Sequence, residues 1–146
     1  MDSEKVINDI LVSIFNEIWE YENVAIITDE FKDITNNDMH IIEAVGLGDG
    51  NNMSTIARKL KITLGSLTTS MNNLVKKGYA IRKRSEKDRR LVYIQLTEKG
   101  IRAYNHHKEF HQKMIDAVME NLDENESTVL IETLEKLITF FKSWKK

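Results

Sequence analysis

The sequence predicts a mainly α-helical fold interrupted once by a small β-hairpin, in the order helices, hairpin, helices. Three observations lead there. The 146 residues contain no proline, and Leu, Ile, Glu and Lys are abundant, so nothing breaks long helical runs. Apolar residues recur at three- and four-residue spacing over most of the chain, which places them on single helical stripes. Residues 79–84 and 91–96 instead flank a short polar run and alternate in character, the pattern of two paired strands with a charged tip.

The elements follow in order. The first helix is read from Val6 to Trp19, where Ile7, Ile10, Leu11, Ile14, Phe15 and Ile18 share a face. Thr35-Asn36-Asn37-Asp38 opens a second: Thr35 is able to cap, and Asp38 stands near the positive helix end, ahead of Met39, Ile42 and Val45. Gly46, Gly48 and Gly50 with Asn51 and Asn52 read as a loop. A short helix spans 53–60 with Ile56, Ala57 and Leu60 inward; after a tight turn at 61–63, another spans 64–77 and stops at Gly78. Its Leu64, Leu67, Met71, Leu74 and Val75 converge within about a third of the circumference. Beyond the hairpin, Thr97 is placed to cap a helix running from Glu98 into the 120s. Asp123-Glu124-Asn125-Glu126 resembles a capping box opening the last helix, which carries Val129, Leu130, Leu134, Leu137, Ile138 and Phe141.

This length suits one domain able to bury a core without staples. Cysteine is absent, which excludes disulfides, thiolate nucleophiles and zinc ribbons and fits a cytoplasmic setting. The N-terminus lacks a signal-peptide pattern, and no window approaches the roughly 18 apolar residues of a membrane helix, so no membrane association is expected. No nucleophile elbow, phosphate loop or zincin signature occurs, and the carboxylates have no acid/base spacing; an enzyme is not expected, nor a cofactor.

Charge is sorted along the chain. Residues 58–90 hold 11 of the 21 basic side chains and two acidic ones, a formal charge of +9 in a protein whose net charge is −2. A positive island in an acidic molecule is the footprint of a nucleic-acid reader, although solvated helix faces also carry charge runs. The helix over 64–77 turns a face of small polar residues outward, with Ser66, Thr69 and Asn73 at its centre and Gly65, Thr68, Asn72 and Lys76 around them. Ser, Thr and Asn are poor helix formers, so their concentration points to a role in approaching base edges: Asn pairs with adenine, and Thr offers a hydroxyl and a methyl. The hairpin tip, Ser85-Glu86-Lys87-Asp88-Arg89-Arg90, projects cations suited to a minor groove. Asp88 is expected to hold an arginine or the turn backbone, while Arg82, Lys83, Arg84, Lys76 and Lys77 are expected to anchor phosphates. A protein-interaction module that binds no DNA is the competing class, separable by its weaker response to salt.

The run from Ile62 to Tyr79, followed by Asp88-Arg89-Arg90 and Leu96-Thr97-Glu98-Lys99-Gly100, resembles the winged helix-turn-helix core of the MarR family of bacterial repressors, and the likeness spans almost the whole length. Arg84-Ser85-Glu86-Lys87-Asp88-Arg89-Arg90, the Leu64–Leu74 segment and His107 with Phe110-His111-Gln112-Lys113 resemble most the members that repress fatty-acid biosynthesis genes. The resemblance implies a single domain over 1–146, with a winged core at 35–97 and helical dimerisation regions at 1–30 and 98–146. It implies a homodimer on palindromic double-stranded DNA, with long-chain acyl-acyl carrier protein as corepressor. An acyl tunnel would be lined by Phe15, Trp19, Met39, Ile42, Ile101, Tyr104, Phe110 and Met114, residues equally suited to core and dimer interface. Zinc-dependent members of the family suggest an alternative: His107 and His111 lie four apart on a helix, and His40, with a carboxylate from Glu20, Glu22, Asp29 or Glu30, would complete a metal site. Otherwise these are buried or hydrogen-bonded histidines.

Overall fold

The computed structural model describes residues 2–26 and 30–144; Asp29, one of the candidate carboxylates, lies outside them. Among the described residues the order is α1 (Ser3–Ile26), α2 (Asn36–Val45), β1 (Asn51–Asn52), α3 (Met53–Leu60), α4 (Leu64–Lys76), β2 (Ala80–Arg84), β3 (Val92–Leu96), α5 (Glu98–Met119) and α6 (Glu124–Trp144). The chain forms two compact units, Met1–Phe110 and His111–Lys146.

Helix boundaries follow from capping. Thr35 accepts the Asp38 amide at 3.1 Å while Asp38 Oδ2 accepts the Thr35 amide at 3.0 Å, a reciprocal box that satisfies two otherwise unpaired donors at the start of α2. Thr97 Oγ1 accepts the Gly100 amide at 3.1 Å and so opens α5. The same box recurs at α6, where Asp123 and Glu126 exchange bonds of 2.8 and 3.1 Å. At the other end of α4, Gly78 adopts φ 85° and the amides of Gly78 and Tyr79 close back on Val75 and Leu74.

Two expectations need correction. The first helix is longer than the 6–19 stretch, extending over Ser3–Ile26. Asn51 and Asn52 are not loop but a short strand pairing antiparallel with Ile94 and Tyr93, so the hairpin is part of a three-stranded sheet in the order β1-β3-β2. Gly50 permits the approach: a Cβ there would stand 1.8 Å from the Ile94 carbonyl oxygen. Two asparagines carry no strand signal of their own, and the pairing is supplied by β3, more than 40 residues away.

The first unit has one core. Met39, Ile42, Ile56, Leu67, Met71 and Ile94 are fully buried, joining α2, α3, α4 and β3. Such a side chain contributes roughly 1.5–3 kcal/mol when sealed from water. In the second unit α6 has no buried residue. No helix among the described residues is long and apolar enough to cross a membrane.

Candidate nucleic-acid interface

Helix α4 is amphipathic in the sense its sequence requires. Leu67, Met71 and Leu74 seal one side into the core, and Gly65, Ser66, Thr68, Thr69, Asn72, Asn73 and Lys76 are all exposed. Leu64 departs from the expected inner face and is 51% exposed, because it occupies the first turn, beyond the reach of the core below Leu67.

The hydrogen bonds within this face give it polarity. Thr68 and Thr69 donate their hydroxyl protons to the Leu64 and Gly65 carbonyls at 2.8 and 3.3 Å, leaving oxygens that act outward only as acceptors. Ser66 Oγ accepts the Thr63 hydroxyl at 2.9 Å, which leaves Ser66 a proton to donate; Thr63, the helix cap, was not singled out by the sequence reading, although its three-residue lead over Ser66 is a capping signal. Arg82 of β2 donates to the side-chain Oδ1 of Asn72, which leaves Asn72 its amide nitrogen to offer, while Asn73 stands exposed beside it. Bidentate reading of adenine needs both halves of the amide, and on this arrangement Asn73 is the better placed of the two.

The tip between β2 and β3 is pinned. Ser85 Oγ accepts the Asp88 amide at 3.3 Å, the Leu91 amide bonds to the Asp88 carbonyl at 3.0 Å, and Arg84 donates to the Arg89 carbonyl at 3.2 Å. Asp88 takes three bonds from Arg90: the amide at 3.1 Å, Nε at 3.0 Å and Nη2 at 3.1 Å. The Arg90 side-chain bonds, aided by its amide, hold the Asp88 carboxyl below the usual carboxylate range. Arg90 thus stands aimed while 90% of its side chain is exposed. Lys87 and Arg89 are exposed at the same tip, and Arg82, Lys83 and Arg84 line β2, an edge strand of the sheet. Charge on an edge also keeps it from pairing with a foreign strand, so these three have a structural reason to be cationic independent of DNA.

Helix and tip meet across a cleft of about 230 Å³ whose lining includes Ser54, Leu64, Thr68, Arg90 and Leu91. Arg90 and the exposed polar side of α4 therefore border one surface. Lys77, expected as a phosphate anchor, is turned inward: its ammonium donates to the Asp33 carbonyl at 2.5 Å and lies 3.9 Å from Asp38.

The candidate ligand residues are divided. Met39 and Ile42 are sealed in the core, Tyr104 packs against it, and Phe110 is buried with its ring 4.6 Å from that of Tyr21. Phe15, Trp19 and Ile101 are exposed, and Met114 belongs to the second unit. Met39 and Ile42 fill the space between α2 and its neighbours, which is the core role that was weighed for them. Of the metal candidates, His40 lies 3.6 Å from Glu22 and His107 3.4 Å from Glu43, with the two rings 5.9 Å apart. Asn36 donates to Glu22 at 3.2 Å. His40 and His107 thus each lie beside a carboxylate; His111 lies in the second unit.

Comparison with known proteins bears on the fold and the family. The family described as transcriptional regulator SarA/Rot matches residues 23–107. The chain is similar to FabT of Streptococcus pneumoniae, solved in complex with DNA, at 38% identity and a TM-score of 0.88, covering 97% of this chain and 99% of that one. It is 29% identical over 138 residues to the HTH-type transcriptional regulator PchR of Bacillus subtilis, across 92% of this chain and 78% of that protein. It is 30% identical to the HTH-type transcriptional regulator SarZ of Staphylococcus haemolyticus, across 73% and 71% of the two chains.

Proposed function

From the premise that the chain belongs to the DNA-binding winged-helix transcriptional regulators of MarR/SarA type, we propose that it is a cytoplasmic repressor of fatty-acid biosynthesis genes. It acts as a homodimer on a palindromic operator, with long-chain acyl-acyl carrier protein as corepressor and no catalytic activity. The observation that carries the DNA reading is the exposure of Ser66, Thr69 and Asn73 on α4, together with Arg90 bordering the cleft that Thr68 also lines. Gly65, Ser66, Thr68, Thr69, Asn72 and Asn73 enter a major groove; Arg89 and Arg90 enter the flanking minor groove; Lys76, Arg82, Arg84 and Lys87 take phosphates, with Asp88 steadying Arg90. The fatty-acid assignment is supported by the resemblance to that branch of the family and by the likeness to FabT.

Dimerisation is supported by the apolar surface that both terminal helices leave uncovered within one chain, and a two-fold pair would place two copies of α4 in successive major grooves, about 34 Å apart. The relatives do not support the zinc-responsive alternative through His40, His107 and His111.

An electrophoretic shift with a fatty-acid-gene promoter tests the whole reading. Operator binding should tighten when long-chain acyl-acyl carrier protein is added and should be indifferent to chelator. A shift unaffected by the acyl carrier removes the corepressor, and one abolished by chelator restores the metal alternative.

A further inference from the structure

The far end of α4 is tied down by residues that no DNA-reading role uses. Tyr79, fully buried just beyond the helix, donates its hydroxyl to Asp33 Oδ1 at 2.6 Å. Lys99 of α5 lies 3.6 Å from the other oxygen of the same carboxylate and 4.4 Å above the Tyr79 ring. Lys77, the cap that follows α4, donates to the Asp33 carbonyl at 2.5 Å. Asp33 sits in the connector between α1 and α2, whose Phe31 and Ile34 are buried in the core and fix its backbone, and Arg102 of α5 pairs with Glu30 nearby.

The main chain of Tyr79 completes the junction. Its carbonyl accepts the Thr97 amide at 3.0 Å, and a Cβ at Gly100 would stand 2.1 Å from the same oxygen, so α5 starts directly on this residue. The hydrogen bond from Tyr79, with the charges of Lys99 and Lys77, holds the Asp33 carboxyl below its ordinary range against the opposing effect of burial. Burial and the bond to Asp33 push the Tyr79 phenol up. The proton therefore stays on Tyr79 and the charge on Asp33.

We propose that Asp33 is a positioning residue for DNA recognition: with Tyr79 and Lys99 it clamps the C-terminal end of α4 to the α1–α2 connector and so sets the tilt of the reading face. The consequence for DNA rests on the regulator reading above. A helix of this length spans about 20 Å, so a tilt of about 10° about its clamped end moves Ser66 by roughly 3 Å, enough to break a hydrogen bond to a base. The sign of the effect separates this role from simple electrostatics. Removing an acidic residue beside a basic island makes the protein more positive and, acting through charge alone, would tighten DNA binding and steepen its salt dependence. Loss of positioning weakens binding instead and leaves the salt slope where it was.

The test uses the full-length protein with Asp33→Ala, Asp33→Asn and Tyr79→Phe, read by amide hydrogen exchange and by operator affinity across a salt series. Asp33→Ala should speed exchange of the Lys77, Gly78 and Tyr79 amides about tenfold, leave the Ile56 and Ile94 amides unchanged, and weaken operator binding about tenfold at constant salt slope. Tyr79→Phe, which fills the same space without the hydroxyl, should act in the same direction. Asp33→Asn keeps an acceptor for Tyr79 and should recover most of the loss. Unchanged exchange at the helix end, acceleration spread evenly over the core, or tighter binding with a steeper slope would each overturn the proposal. Failure of the unsubstituted protein to bind any operator would sink the regulator reading instead, while the exchange measurements still decide whether Asp33 holds the helix end.

Discussion

The winged core and the terminal helices carry the same three-and-four spacing of apolar residues and end in opposite conditions. In α2, α3 and α4 that spacing is answered within the chain: Ile42, Ile56, Leu67 and Leu74 are sealed. In α1 and α6 it is left open, with Phe15 69% and Trp144 75% exposed and apolar side chains uncovered along the length of both helices. Periodicity tells which face of a helix seeks cover; it does not tell whether the cover lies in the same chain. The helices of the winged core bury their apolar stripes within the chain, whereas the terminal helices present the surface expected of half an interface.

The largest effect should come from charging that surface. Phe15→Glu combined with Phe141→Glu should reduce the mass measured by sedimentation from two chains to one, with the dissociation constant raised by at least about a hundredfold, since a buried unpaired carboxylate costs several kcal/mol. A dimeric mass for the double variant would mean that these faces are not the interface. Leu67→Ala probes the other region and should cost about 2–5 kcal/mol in denaturant unfolding, with the oligomeric state unchanged at concentrations where the protein is folded. Next in size, Arg90→Ala should weaken operator binding by about 1–3 kcal/mol in a titration at fixed salt, and unaltered affinity would remove the tip from recognition.

The smallest effect is a pH dependence. Asp33 and Asp88 are both held below their ordinary range in the folded protein, so the native state favours their ionised forms. Their contribution is complete at neutral pH, begins to fall once the unfolded chain takes up protons near about pH 4, and is gone below the folded values. The stability difference between the unsubstituted protein and Asp33→Asn, followed by thermal melting, should therefore shrink toward zero as the solution is acidified. A difference that persists at the lowest pH would place the effect in packing.

What the sequence made legible was local. The caps at Thr35, Thr97 and Asp123, the bounds of α3 and the pinning role of Asp88 all depend on residues within three or four positions of one another. What escaped was non-local. β1 exists through pairing with β3, the inward turn of Lys77 depends on Asp33, and the Asp33–Tyr79 bond joins residues 46 apart in sequence. Leu64 illustrates a subtler limit: its place on the helical stripe was right, but a stripe extends past the end of the core it covers. The exposed polar face of α4 was visible because small polar side chains on a helix run against propensity, and no comparable signal marks which of two adjacent asparagines is engaged by Arg82.

That last bond has a consequence for how such a regulator changes its target. Because Arg82 on a strand grips Asn72 on the helix, the two parts of the surface do not mutate independently. A replacement at position 82 alters the hydrogen-bonding pattern the neighbouring helix offers, even if position 82 meets only phosphate. Divergence toward a new promoter would then proceed by paired substitutions, one on each element, and single changes at either site would pass through forms with blurred sequence preference.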